Sequence, residues 1–427
     1  MKEMLERYFD RLWPICRSIT GDGVRATLKI LREIVPLDIH EAPTGKKVFD
    51  WEIPKEWNVR DAYIVTPDGK KVASFKENNL HLVSYSVPVN TTLRLEDLEP
   101  HLHYSQEMPD VIPYITSYYK PDWGFCLTYN QYRALSREGT YHVVIDTSLE
   151  SGNLTYGDIV IPGASDEEIL FSTYICHPSM ANDNLSGSLV TAFLYKKIAG
   201  IQNRKYTYRF VFMPETIGAI NYLYDHGEHL KTKLKAGYVV TCIGDEGAFT
   251  YKRSKRGDSL ADRVAEHVLK HETKDSKVID FFCRGSDERQ YCSPGFNLPV
   301  GSLMRTMYMA YKKYHTSGDD KSSISFAAME KSVDVYFMLV EALEMNECFI
   351  NTNPQCEPYL NRHGLYPQPG AARKPLEETI TRTLHLLTYA DGERDLVNIA
   401  DLKGESIFKF REVVASLARC GLIKPRK

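Results

Sequence analysis

The feature that most constrains this chain is a regular alternation of short apolar runs and amphipathic segments between residues 140 and 350. Runs such as EEILFSTYIC, YRFVFMP and AGYVVTCI have strand length and are largely apolar, and helix-spaced segments such as LSGSLVTAFLYKKIAG lie between them. Strands that are apolar on both faces indicate a parallel sheet with helices on both sides. We therefore predict an α/β fold with a mixed, mostly parallel sheet flanked by helices.

The rest of the chain differs from this sheet region in its composition and in its pattern of apolar and polar residues. Residues 1–48 contain two helix-spaced segments, which we assign with 140–350 to one catalytic domain. Residues 49–139 alternate apolar and polar residues around P-D-G turns, which predicts an inserted, small β-rich domain. Residues 351–373 are rich in Pro, Gly and Asn and are predicted to be a linker. Residues 374–427 contain three helical segments and a short basic end, which predicts a winged-helix domain.

Composition and charge argue against several partners. A net charge of −3 over 427 residues gives no general attraction to nucleic acid or to membranes. No apolar run reaches about 18 residues, so we expect no membrane-spanning helix and no membrane partner. The opening MKEMLERYFDRLW has charges where a secretory signal needs apolar residues, and the nine cysteines include no CxxC pair. We expect free thiols and a cytoplasmic protein.

Side chains that bind metals or move protons occur where four predicted strands end. His177 follows EEILFSTYIC, and the loop after it reaches Asp183. Glu215 follows YRFVFMP, Asp245 follows AGYVVTCI, and His315 lies shortly after NLPVGSLMRT. Ligands of open α/β sheets bind at the carboxyl ends of strands, and His with carboxylates is the ligand set of hydrolytic zinc. The sequence therefore predicts a divalent metal with a carboxylate nearby to take a proton from water.

Each of these residues also has a structural alternative. Asp183 precedes a helix and could be its N-cap, and Glu215 could favour the positive N-terminus of the next helix. Asp245 could lie in a polar loop, and His315 could lie on the surface. We favour the metal site because the alternative requires independent coincidences at successive strand ends. No G-x-S-x-G elbow follows a strand, which argues against a Ser-His-Asp hydrolase.

The motifs around these residues resemble those of the zinc aminopeptidases. The segment ILFSTYICHPSMANDNLSG is similar to the family's strand that ends in a His ligand and is followed by an Asp-Asn pair. FMPETIG resembles its Glu-Glu-x-Gly, and YHTSGDD resembles its His-Thr-x-x-Asp. The resemblance covers 1–48 and 140–350 and implies a zinc-exopeptidase-like fold with a co-catalytic metallopeptidase site. More narrowly, GSDERQYCSPGFNLPVGSLMRT and the C-terminal segment resemble a bacterial aminopeptidase-like group with an inserted β domain and a winged helix.

The resemblance implies a role for each matched residue. It assigns His177, Asp183 and Asp245 to one zinc ion and Asp183 with His315 to a second. Glu215 matches the first Glu of the family pair, which is the general base. All of these assignments come from the resemblance.

Two departures from the family pattern leave part of this assignment open. The family's second Glu, a metal ligand, is Thr216 here, so one or two ions can be expected, and Glu215 could be a ligand instead of the base. The Asp that follows the first His by two residues is Ser179 here, which removes a partner that would orient the imidazole.

A charged cluster, SDERQ, precedes the strand NLPVGSLMRT and offers candidates for substrate binding. An acidic pair such as Asp287 and Glu288 could hold an α-amino group, and Arg289 or Arg305 could hold a carboxylate through two parallel bonds. The alternative for this cluster is a solvated loop. Asp319, four residues after His315, is expected to cap the following helix.

Together these observations predict a metal-dependent aminopeptidase or related amide hydrolase acting on a small peptide or an N-acyl or amino-acyl substrate. The alternative is an inactive metal-binding scaffold or regulator that acts through the winged helix. Residues 374–427 hold 10 Lys or Arg against 8 Asp or Glu, a weaker basic bias than DNA-binding modules usually show. We therefore expect the winged helix to support a homo-oligomer, with nucleic-acid binding as the alternative.

Overall fold

The computed structural model describes residues 1–366 and 373–426. The helices in these ranges are α1 (Lys2–Leu12), α2 (Asp22–Leu31), α3 (Leu95–Leu98), α4 (Tyr129–Arg133), α5 (Gly187–Ala199), α6 (Ile217–Lys233), α7 (Leu260–Glu272), α8 (Glu288–Tyr291), α9 (Phe326–Met345), α10 (Arg373–Tyr389), α11 (Leu396–Lys403) and α12 (Arg411–Arg419). The strands are β1 (Asp38–Pro43), β2 (Lys47–Val48), β3 (Trp51–Glu52), β4 (Glu56–Val65), β5 (Lys71–Val72), β6 (Val89–Leu93), β7 (Leu102–His103), β8 (Phe125–Cys126), β9 (Tyr141–Glu150), β10 (Asn153–Ile161), β11 (Glu168–Tyr174), β12 (Thr207–Met213), β13 (Leu234–Val240), β14 (Thr250–Lys252), β15 (Lys277–Ile279), β16 (Val300–Met304), β17 (Cys348–Asn351), β18 (Asp391–Asp395) and β19 (Ile423–Pro425).

The largest sheet has eight strands in the order β1-β10-β12-β11-β13-β16-β14-β15. Its central strands β12, β11, β13 and β16 are parallel to one another, whereas the pairs β1–β10, β10–β12 and β14–β16 are antiparallel. Every residue of β11 and β12 is buried, because helices such as α5 cover these apolar strands. The predicted mixed, mostly parallel sheet flanked by helices is confirmed.

The inserted segment forms a four-stranded antiparallel sheet in the order β5-β4-β9-β6. The predicted insertion ended at residue 139, but β9 pairs with β4 and β6, and its alternate residues Tyr141, Val143 and Ile145 are buried. The insertion therefore continues through β9. Its two ends meet where the backbone N–H of Thr44 donates to the carbonyl oxygen of Gly152 at 2.9 Å.

One buried hydrophobic cluster joins the insertion to the large sheet. It includes Trp57 and Phe125 from the insertion and Leu170 and Met213 from strands β11 and β12. The insertion and the sheet thus share a core, and the burial of these side chains stabilises both.

The chain divides into two compact units, Met1–Ala261 with Lys277–Asp334, and Asp262–Ser276 with Val335–Lys427. All nine cysteines lie in the described ranges, and each is a free thiol. Every helix in those ranges is too short or too polar to cross a membrane.

The second unit contains the winged-helix domain. This domain consists of helices α10, α11 and α12 and a three-stranded antiparallel sheet in the order β18-β17-β19. The winged-helix domain was predicted to start at residue 374. Strand β17 precedes that residue but belongs to the domain, because it pairs with β18 and β19 and Phe349 is buried. The predicted linker 351–373 therefore begins at the end of that strand, and its residues 367–372 lie outside the described residues.

Candidate metal centre

The candidate site lies at the carboxyl edge of the large sheet. His177, Glu215 and Asp245 follow the neighbouring strands β11, β12 and β13, and His315 is reached after β16. These strands are parallel, so their carboxyl ends meet at one edge. Asp183 lies in the segment Ala181–Ser186 directly before α5, and its own backbone angles are not helical.

Three of the predicted residues form a compact group. His177, Asp183 and His315 each offer one ligand atom, and these atoms lie within 4.8 Å of one another. Asp183 Oδ2 is 3.0 Å from His315 Nε2 and 4.0 Å from His177 Nε2. Apart from this 3.0 Å contact with each other, Asp183 Oδ2 and His315 Nε2 are buried without a hydrogen-bond partner in the described part of the chain. Converging oxygen and imidazole atoms with no other partner fit a divalent cation such as Zn²⁺.

The other atoms of Asp183 are held by the protein. The hydroxyl of Tyr174 donates to Asp183 Oδ1, which leaves Oδ2 to face the two imidazoles. The carboxylate of Asp319 accepts the backbone N–H groups of Asn182 at 2.8 Å and of Asp183 at 2.9 Å. Asp319 was expected to cap the following helix. Instead Asp320 caps the short 3-10 turn Lys321–Ser323, and Asp319 holds the loop that contains Asp183.

The electrostatics of the group favour the protonation states that metal ligands need. Burial lowers the pKa of His177 to about 4, so the imidazole is neutral at pH 7. For Asp183, burial alone would raise the pKa, but His177, His315 and Tyr174 together hold it at about 2. A neutral imidazole beside an ionised carboxylate is ready to accept a cation.

Glu215 lies beside this group but is not one of its three members. Its Oε2 atom is 3.9 Å from His177 Nε2, and its side chain is 25% exposed, so it faces both the group and the solvent side. Burial raises the pKa of Glu215 well above its usual range, and the carboxylates of Asp287 and Asp183 raise it further. Glu215 is therefore placed to hold a proton next to the candidate ligands.

The residue after Glu215 is fixed by the SDERQ cluster. The backbone N–H of Thr216 donates to Asp287 Oδ1 at 2.8 Å, and Arg289 Nη2 donates to Thr216 Oγ1 at 2.8 Å. Thr216 has a φ of +63°, a rare conformation for a β-branched residue, and these two bonds oppose its relaxation. Burial raises the pKa of Asp287 to about 7, and its Oδ2 atom has no partner among the described residues.

The other two predicted substrate-binding residues, Glu288 and Arg305, form ion pairs or hydrogen bonds with other groups of the protein. Glu288 Oε1 accepts from Lys252 Nζ at 2.7 Å, and both side chains are fully buried. Arg305 donates to Ser332 Oγ at 3.0 Å and to the carbonyl of Gly247 at 2.8 Å. The structure therefore brings Asp287 and Arg289 close to Glu215 and engages Glu288 and Arg305 elsewhere.

Asp245 is not brought into the three-residue group. Its Oδ1 atom accepts from the N–H of Gly247 at 2.6 Å and from Thr306 Oγ1 at 2.9 Å. Its Oδ2 atom accepts from Asn182 Nδ2 at 2.9 Å and from the N–H of Thr306 at 3.2 Å. Both carboxylate oxygens thus have protein donors, and a metal role for Asp245 stays a prediction from the resemblance.

Two tyrosines at the site had no signal in the sequence. Tyr174 is the last residue of β11, and Tyr114 comes from the insertion. The ring of Tyr114 lies 5.4 Å from that of His177 and 5.2 Å from that of His315. Its backbone N–H also donates to the carbonyl of His315 at 2.8 Å, so the insertion forms one wall of the site.

A second group of potential ligands occurs in the other unit, formed by His267, His271 and Asp401. His267 Nε2 accepts the backbone N–H of Ile407 at 2.8 Å, so this nitrogen carries no proton. The proton is then on Nδ1, which lies 2.9 Å from Asp401 Oδ1 and donates to it. Neither nitrogen of His267 has a free lone pair, so this group does not fit a metal ion.

The sheet and its flanking helices define an α/β protein with an aminopeptidase-like fold, and the chain also carries a winged helix. The chain is similar in structure to a zinc aminopeptidase from Bacillus subtilis, with a TM-score of 0.58 and 11% identity over 80% of this chain and 93% of that one. At that identity the likeness shows the fold. The predicted zinc-aminopeptidase-like fold is thereby confirmed.

The chain belongs to the family described as "Domain of unknown function (DUF4910)", whose model matches residues 6–346. A second model, described as a winged helix-turn-helix, matches residues 347–425 and confirms the predicted winged helix. A relative from Clostridium acetobutylicum, named "Putative polysaccharide biosynthesis protein with aminopeptidase-like domain", is 47% identical over 97% of this chain and 94% of its own length. A crystal structure of a "putative peptidase" from Clostridium acetobutylicum is 45% identical, has a TM-score of 0.93, and covers 100% of this chain and 96% of that one.

Proposed function

We propose that this protein is a metal-dependent amide hydrolase of the aminopeptidase type, acting on a small peptide or an N-acyl or amino-acyl substrate. The observation that carries the proposal is the buried pair Asp183 Oδ2 and His315 Nε2, which lie 3.0 Å apart beside His177 and have no other partner among the described residues. Glu215 lies within 4 Å of this group, and a carboxylate in that position can move a proton.

A single zinc ion would be held by His177, Asp183 and His315. Two imidazoles and one carboxylate are a usual set for catalytic zinc, and they leave a position open for water or substrate. When bound, the ion supplies Lewis acidity, which makes water acidic near neutral pH and polarises a carbonyl. We propose one ion because Asp245 is bonded to Asn182 and to other donors, and because the family's second Glu is replaced here by Thr216.

The chain's own residues would perform the proton transfers. Glu215 takes a proton from the attacking water at its carboxylate and passes it to the nitrogen of the leaving amine. Arg289 is next to this residue and could bind the carboxylate of a small substrate, whereas Asp287 is fully buried and holds the backbone of Thr216. The name of the relative links an aminopeptidase-like domain with polysaccharide biosynthesis, which supports an N-acyl or amino-acyl compound as substrate.

The proposal predicts a distinct result for a ligand and for the base. The full-length protein should hold about one equivalent of Zn²⁺, measured by elemental analysis after dialysis, and His177→Ala should lose it because an open site has few ligands. Glu215→Gln should keep the ion and lose about 10²- to 10⁴-fold in turnover in an amide-hydrolase screen. Loss of the ion from Glu215→Gln would show that Glu215 is a ligand, and failure of the unmodified protein to take up any metal would refute the proposal.

The alternative is an inactive metal-binding scaffold or regulator that uses the winged helix. Thr216, in place of a family ligand, is the observation that favours it. A protein loaded with metal that hydrolyses none of the N-acyl, amino-acyl or dipeptide compounds in the screen would support this alternative. In either case we propose a cytoplasmic homo-oligomer.

A further inference from the structure

Cys176 contacts two residues of the candidate site, His177 and Glu215. The side chain is 1% exposed, and the residue is the second after the end of the buried strand β11. Its sulfur lies 3.4 Å from His177 Nδ1 and accepts the backbone N–H of Glu215 at 3.2 Å. One buried atom therefore links the first candidate ligand to the candidate base.

The contact to Nδ1 is the one that orients an imidazole ligand. His177 Nε2 faces Asp183 and Glu215, so Nε2 is the nitrogen that would bind a cation. A neutral imidazole that binds through Nε2 carries its proton on Nδ1 and donates it to a neighbouring acceptor, which fixes the ring. A thiol sulfur can accept such a bond, although weakly.

The residue expected to supply that acceptor does not do so. Ser179, at the position of the family's Asp, donates from Oγ to the carbonyl of Trp13 at 3.1 Å and accepts from Asn79 at 2.8 Å. Within the described residues, the sulfur of Cys176 is the hydrogen-bond partner of His177 Nδ1. The backbone of His177 is held separately, because Arg17 Nε donates to its carbonyl at 2.9 Å.

We propose that Cys176 is a positioning residue that orients His177 as a metal ligand and fixes the backbone of Glu215 so that its carboxylate faces the same ion. This inference rests on the proposed function. The thiol takes the place of an orienting carboxylate, and because sulfur is the weaker acceptor its effect on metal affinity is at the lower end of the usual range for such partners, about tenfold.

Three variants of the full-length protein test this role. Cys176→Ala removes the acceptor, Cys176→Ser keeps an atom that can accept both bonds, and Cys292→Ala is a matched control. Cys292 is also 1% exposed, and its sulfur lies near the carbonyls of Leu298 and Val300, so the control measures the cost of losing a buried thiol elsewhere. Zinc affinity is measured by competition with a chelator, and exchange of the Glu215 amide is measured in the metal-free protein.

We expect Cys176→Ala to bind zinc about tenfold more weakly and to exchange the Glu215 amide about tenfold faster, because both bonds lose their acceptor. Cys176→Ser should recover most of both losses, and Cys292→Ala should show neither. If the unmodified protein binds zinc and Cys176→Ala binds it equally well, the role of Cys176 is refuted and the proposed function stands. If Cys176→Ala and Cys176→Ser both fold and bind zinc equally weakly, the loss of affinity is not caused by the loss of a hydrogen-bond acceptor, and the proposed role is refuted. An unmodified protein that binds no metal overturns both proposals.

Discussion

Replacing Tyr174 by phenylalanine should weaken zinc binding while the protein remains folded, although less stable. The substitution removes only a hydroxyl, which is buried and donates to Asp183 Oδ1. The same hydroxyl lies 2.7 Å from Thr241 Oγ1, so one charge-assisted bond and one neutral bond are lost. Loss of a partner that orients a metal ligand typically costs about 10- to 100-fold in metal affinity, because the ligand is no longer held in place. The dissociation constant for zinc should therefore rise about 10- to 100-fold.

The assay is a chelator competition on the full-length protein, with urea unfolding of the metal-free protein run in parallel. The free energy of unfolding should fall by roughly 1–3 kcal/mol, because Asp183 Oδ1 is left buried without its donor. Tyr141→Phe is the matched control, since Tyr141 is fully buried and its hydroxyl donates to the carbonyl of Ser136, away from the site. A Tyr174→Phe protein that folds and binds zinc as tightly as the control would refute the reasoning.

Three further predictions concern stability, nucleic acid and assembly. Glu56 is bonded to Arg25, which lowers the pKa of the carboxyl from 4.5 to about 2. Glu56→Gln should lower the free energy of unfolding at pH 7 by roughly 1–2 kcal/mol, measured in urea. Because the pKa is lowered in the folded state, this stabilisation is complete above about pH 4.5, and the difference between the two proteins should disappear as the pH falls towards 2. Arg411 on α12 pairs with Glu341 at 2.9 Å, and the 10 Lys or Arg of residues 374–427 are nearly balanced by 8 Asp or Glu. Fluorescence anisotropy at about 0.15 M salt should show DNA binding no tighter than roughly 10⁻⁴–10⁻⁶ M, and nanomolar affinity for one sequence would favour the regulator. Removal of 347–427 should shift an oligomer towards monomer in light scattering, and an unchanged number of subunits per particle would exclude these residues from the interface.

The sequence predicted the elements of the fold better than their boundaries. The period of the apolar residues is local, so strands such as β11 and β12 can be recognised from their own residues. The ends of the insertion and of the winged helix depend instead on pairing with distant strands. Strand β9 begins at Tyr141 and strand β17 contains Phe349, and the strands that pair with them are far away in the chain. Neither strand could be assigned to its sheet from its own sequence.

The site shows the same limit at the level of side chains. The positions of His177, Asp183 and His315 follow from strand ends and from motifs, and the structure brings these residues together. Asp245 also follows a strand end, but its donors Asn182 and Thr306 lie about 60 residues away on either side, and no local pattern shows that they engage it. Partners of polar side chains are set by tertiary contacts, and these determine which carboxylates remain available.

The meeting of the two ends of the insertion at Thr44 and Gly152 also bears on how the chain folds. Strands β1 and β10 pair in register from Asp38 to Pro43, although roughly 110 residues separate Pro43 from its partner Asn153. Closing a flexible loop of that length costs about 4 kcal/mol in chain entropy before the first bond of the pair forms. Prior folding of the insertion would bring its ends together and remove most of that cost. Pairing of β1 with β10 should then be a late event, and substitutions that slow folding of the insertion should delay completion of the large sheet.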